Sequence, residues 1–123
     1  MQKPLIEKEI WNKALNLNSK LKEAIINPNS DFMTKLLFDA RFFCKKNGKE
    51  ISYYTNLIFK IKMFLAEKKV MNVGNLSKNL NVEEKELKEI IDYLVNCGEI
   101  LRIEENFSLN KESPYSKMFF NNN

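Results

Sequence analysis

The chain has 123 residues, with 20 Lys/Arg, 16 Asp/Glu and no histidine, which is long enough for one domain with a real hydrophobic core. At 44% apolar and 29% charged residues it has the balance of a globular protein, not of a disordered or membrane-embedded one. Without imidazole, His-dependent nucleophilic triads and His-containing zinc sites are excluded.

In chain order, Ile6, Ile10, Ala14, Leu17, Leu21 and Ala24 recur at steps of three and four and predict an amphipathic helix from about Leu5 to Ile26. Asn27-Pro28-Asn29-Ser30 ends it, and Ser30 or Asp31 caps a second helix reaching about Lys46. That helix turns Phe32, Leu36, Ala40 and Phe43 inward and stops at a basic cluster around Gly48. These two segments read as a helical hairpin. A third helix, roughly Ser52 to Lys68, has Tyr54, Leu57, Ile58, Ile61, Phe64 and Leu65 as its apolar stripe.

After it the pattern shortens. Val70, Met71 and Val73 form a β-like patch, Gly74 to Leu80 a short helix, and Asn81 with Glu84 a capping pair for a helix from about Val82 to Asn96. Gly98 supplies the stop, and Ile100 to Ile103, a Glu104-Glu105-Asn106 turn and Phe107 to Leu109 read as a β-hairpin. From 111 onward the expected tail is polar and frayed, anchored by Tyr115, Met118, Phe119 and Phe120.

Catalysis finds little support. The three glycines are isolated at turn positions, so no phosphate-cradling loop exists. Paired acids such as Glu83/Glu84 offer no means of separating their pKa values, and Cys44 and Cys97 lack metal-clip spacing. The expectation is a non-enzyme with no cofactor, no catalytic residue and no metal site. Free thiols, no signal-like start and no apolar run of about 20 residues predict an intracellular protein, cytoplasmic or nuclear, without a membrane partner.

From Lys60 to Leu109, about 40% of the chain, the sequence resembles the winged-helix family. The resemblance rests on Phe64-Leu65-Ala66-Glu67-Lys68, on Val73, Leu76 and Leu80, and on the run from Leu87 to Ile100. It is most similar to the C-terminal winged helix of the replication protein A middle subunit, through Leu94, Asn96, Gly98, Ile100, Glu104, Glu105 and Phe107, and to the related winged helices of a telomere-capping subunit. That resemblance implies a module that recruits basic helical segments of other DNA-maintenance proteins. A weaker likeness to the winged helices of the selenocysteine-specific elongation factor does not extend to its RNA-reading residues, because Glu83-Glu84-Lys85 and Arg102-Ile103-Glu104-Glu105 stand in their places.

Charge distribution sharpens the expectation. Residues 1–69 carry a net +7 and residues 70–123 a net −3. The segment Glu83 to Asp92, where a recognition helix would need cations, has five acids against Lys85 and Lys88. The fold expected is therefore mainly α with a small β-hairpin: a helical hairpin at 1–50, a winged helix at 51–110 and a tail at 111–123.

The function expected is that of an adaptor or architectural subunit of a DNA- or RNA-maintenance complex. Its face for a basic partner segment would be Glu83, Glu84, Lys88, Asp92, Glu104, Glu105 and Phe107. The alternative is a small DNA-binding transcriptional regulator using its basic half or a homodimer, with non-specific contacts through Lys13, Lys20, Lys22, Lys45, Lys46, Lys49, Lys60 and Lys62. Phe38, Phe42, Phe59 and Met63 exceed what one buried face needs, and are either core or an apolar interface.

Overall fold

The computed structural model describes residues 6–17 and 30–120. Helix α1 (Lys8–Leu17) is the described part of the first expected helix; Leu21, Ala24, Lys20 and Lys22 lie outside the described residues. Asn56 ties it to the third helix, accepting from the Glu7 amide at 2.7 Å while donating to the Ser52 carbonyl. Helix α2 (Asp31–Asn47) starts at Ser30, whose hydroxyl accepts from the Met33 amide, and ends at Gly48, which takes the left-handed conformation at φ 77° that only glycine adopts freely.

Helix α3 (Ile51–Lys68) follows after a three-residue turn and runs antiparallel along α2. Phe32 meets Phe59 edge to face at 6.2 Å at one end of the pair, and Phe43 meets Tyr54 at 5.7 Å at the other. The sequence shows one apolar stripe on α3, yet the helix is enclosed nearly all round, with residues 54–59, 61–63 and 65 buried. It packs against α1, α2, the next helix, the sheet and the C-terminal turn. Being the central element, it needs more than one apolar face.

Strand β1 (Met71–Asn72), helix α4 (Val73–Leu80) and helix α5 (Glu84–Asn96) come next. Asn72 caps α4 by accepting from the Asn75 amide at 2.8 Å. Asn81 does not cap α5 as expected. It closes α4 in the left-handed region at φ 55°, and α5 begins three residues later after Glu83, without a side-chain cap. Asparagine tolerates that conformation, which is what a tight turn between two helices requires.

Strands β2 (Ile100–Ile103) and β3 (Asn106–Leu109) make the expected hairpin, with Glu104 at positive φ in the turn. The β-like patch joins them: Met71 pairs with Phe107 and Asn72 with Asn106, giving a three-stranded antiparallel sheet in the order β1-β3-β2. One core runs from Ile6 to Phe119, so the described residues before and after residue 50 pack together. The expected frayed tail is instead docked: Phe119 in a short 3-10 turn (Lys117–Phe119) lies 5.1 Å from Phe59 and 5.6 Å from Phe32, and Ser113 and Ser116 are buried.

Candidate functional site

The surface of α5 is an ionic rim. Its first turns carry Glu83, Glu84, Lys85, Glu86, Lys88 and Glu89, because Leu87, Ile90, Ile91 and Leu94 take the inward positions. The basic end of α2 lies alongside, so that Lys46 meets Glu89 at 3.5 Å and Lys49 meets Glu86 at 3.1 Å. Arg102 of β2 meets Asp92 at 2.7 Å. Such exposed pairs stabilise by at most about 1 kcal/mol each, but they neutralise three of the five acids between Glu83 and Asp92, of which Asp92 alone belongs to the face expected to receive a partner. Glu83, Glu84, Glu104, Glu105 and Lys88 are exposed and form no ion pair among the described residues. Phe107 does not belong to that face. Strand alternation turns it inward, where it is buried beneath the Arg102 guanidinium.

The basic residues divide between two places. Lys13 and Lys60 line a groove between α1, α3 and α4 with Met63, Phe64 and Asn79. Lys45, Lys46 and Lys49 lie at the end of α2. Lys62 is in neither, being buried at 3% exposure inside the core region, and makes no surface contact. The four apolar candidates divide as well. Phe59 and Met63 are core, whereas Phe38 and Phe42 on α2 are 63% and 47% exposed. Phe42 lies parallel to Tyr93 of α5, with ring centres 5.0 Å apart.

Four charged side chains that the sequence reading did not bring together meet inside the molecule. Lys62 donates to Glu99 and, at 2.9 Å, to the Tyr115 carbonyl. Lys35 donates to Asp39 one turn on and lies 3.0 Å from Glu99. Tyr93 donates to Asp39 at 2.7 Å. Ser116 and the Asn110 amide bond to the Glu99 carbonyl, which fastens the C-terminal segment to the cluster.

Environment sets these groups apart. Burial, and then the Glu99 charge, push the Asp39 carboxyl up to about 6, against the bonds from Lys35 and Tyr93. Burial would raise Glu99 too, but Lys62 foremost, with Asp39 and Lys35, holds it below the ordinary carboxylate value. Burial pulls Lys62 down against its attraction to Glu99, while for Lys35 the bonds to Asp39 and Glu99 outweigh burial and raise it. Tyr93 is raised by burial and by its bond to Asp39.

Asp39, Glu99 and the exposed Cys97 also bring ligand atoms within 4.8 Å of one another. Lys35 and Lys62 already supply one positive charge for each carboxylate, so the donor set has no net charge to offer a cation. The cluster joins α2, α3, the end of α5 and the C-terminal segment. No described helix is long and apolar enough to cross a membrane. Comparison with protein-family models, curated proteins and solved structures finds no match to this chain.

Proposed function

We propose that residues 51–110 form a winged helix, and that the protein is a non-enzymatic adaptor or architectural subunit of a DNA- or RNA-maintenance complex. Its partner is a protein, engaged through a basic helical segment. The order helix, strand, helix, helix, hairpin, with β1 paired to the hairpin's second strand, supports the winged-helix reading. In this reading α5 occupies the place of a recognition helix, whose first turn reads base edges in DNA-binding members. Here that turn presents Glu83 and Glu84.

The observation that carries the reading is the set of acids left over once the chain's own cations are spent on Glu86, Glu89 and Asp92. Glu83 and Glu84 at the start of α5, and Glu104 and Glu105 at the hairpin turn, have no counter-ion among the described residues. Exposed, unpaired charges of one sign steer an oppositely charged partner and select against like-charged ones.

The test is affinity purification with the full chain beside a Glu83→Lys/Glu84→Lys/Glu104→Lys/Glu105→Lys variant, with circular dichroism confirming that both are folded. A retained chain should be lost with the variant, and a synthetic peptide of its basic segment should bind the parent only. Equal retention by both proteins would overturn the reading.

A further inference from the structure

The outer side of α2 carries a stripe that neither the ionic rim nor the core uses. Phe38, Arg41, Phe42 and Lys45 stand within two turns on one side of the helix, and all four are exposed. Each like pair, ring to ring and cation to cation, is four residues apart and so rises about 6 Å along the axis. Neither Arg41 nor Lys45 takes part in an ion pair among the described residues.

Phe42 is held in place. Tyr93 lies against it with an interplanar angle of 19°, and Phe43 meets it edge-on at 5.1 Å. A flat ring laid on its open side would lengthen an existing stack. The neighbouring acids of α5 do not oppose an anion here as strongly as the sequence suggests, because Glu86, Glu89 and Asp92 are matched by Lys49, Lys46 and Arg102. The stripe is therefore a positive surface with two large exposed rings, beside a rim whose charges are paired.

We propose that this face of α2 binds single-stranded nucleic acid, with Phe38 and Phe42 stacking on bases and Arg41 and Lys45 holding phosphates. Alternating rings and cations on a rigid support are what a splayed-out strand needs, since every base has a flat face and every linkage a negative charge. A duplex keeps its bases stacked on each other and can use only the cations. An acidic peptide would satisfy Arg41 and Lys45 and leave the flat faces without a matching plane. The surface is distinct from Glu83, Glu84, Glu104 and Glu105, so the proposal stands or falls separately from the protein-partner reading.

The test uses the full chain and fluorescently labelled oligo(dT) and oligo(U), followed by anisotropy over a salt series. Phe38→Ala, at a site too exposed to disturb the fold, should weaken binding by at least about fivefold. Arg41→Gln/Lys45→Gln should reduce the slope of log affinity against log salt by about 1.4, two cations at about 0.7 each. Phe38→Trp should retain affinity, and its indole emission should be quenched by the strand. No binding at low salt, a Phe38→Ala affinity equal to that of the parent, or duplex bound as tightly as single strand would each overturn the proposal. So would an acidic peptide of matched length that binds more tightly than the oligonucleotides with the same dependence on Phe38.

Discussion

Lys62 and Glu99 form an ion pair with side chains 3% and 0% exposed, joining the middle of α3 to the residue that precedes β2. Removing one member leaves a charge in the interior with fewer partners, which typically costs about 3–5 kcal/mol. Lys62→Met should lower the unfolding free energy by that order in urea titration. Lys62→Met/Glu99→Gln should recover part of the loss, because a neutral pair needs no counter-charge. A Lys62→Met protein as stable as the parent would show that Lys35 alone satisfies Glu99.

Asp39 gives the same cluster a pH dependence of definite sign. Its carboxyl is raised from 3.8 to about 6, so the folded chain keeps a proton that the unfolded chain releases. The associated stabilisation is fully present below 3.8 and is lost as pH rises through about 6. Glu99 runs the other way. Its lowered carboxyl favours the fold at higher pH, and that benefit is lost as pH falls through its lowered value. The charged and titratable groups around Asp39 are Lys35, Tyr93, Glu99, Lys62 and the Cys97 thiol. Unfolding measured between about pH 5 and 7.5 should show stability falling as pH rises, and Asp39→Asn should flatten the profile. A parent profile as flat as that of the variant would contradict the raised carboxyl.

The physical grounds for these two predictions were not legible in the sequence. Lys35 and Asp39 are one helical turn apart and read as a surface pair, and Lys62 reads as one more cation in a basic half. What buries them is the return of Glu99 and the docking of residues 110–120, and contacts this distant leave no local period to detect. The elements themselves were legible, because the stripes of α2 and α5, the glycine at the end of α2 and the hairpin turn are local signals. Phe59 and Met63 were ambiguous for the opposite reason: a helix enclosed all round has more apolar residues than one stripe explains, and only the fold shows what covers them. The acids of α5 were visible individually, but their pairing with Lys46, Lys49 and Arg102 depends on how α2 and β2 lie beside them.

Phe119 tests the docked segment. It fills the space between Phe32 and Phe59 at 1% exposure, although the surrounding sequence is polar enough to read as a tail. Truncating a buried phenylalanine costs about 3–5 kcal/mol. Phe119→Ala should lower the melting temperature markedly and expose the amides of Ser113 and of residues 115–120 to hydrogen exchange. Unchanged exchange protection in that segment would show that its polar bonds to Glu99 and Lys62 suffice to hold it.

Phe38 and Phe59 provide a contrast between residues of one type that the sequence treats alike. Phe38 is 63% exposed, whereas Phe59 is fully enclosed by Phe32, Phe119 and the rest of α3's surroundings. Phe38→Ser should change stability by no more than about 0.5 kcal/mol, as surface substitutions do. Phe59→Ser removes a ring and leaves a hydroxyl in an apolar site, so a loss of at least about 3 kcal/mol is expected. Paired thermal melts decide the matter. A Phe59→Ser protein that melts with the parent would place that ring on the surface and return it to the list of interface residues.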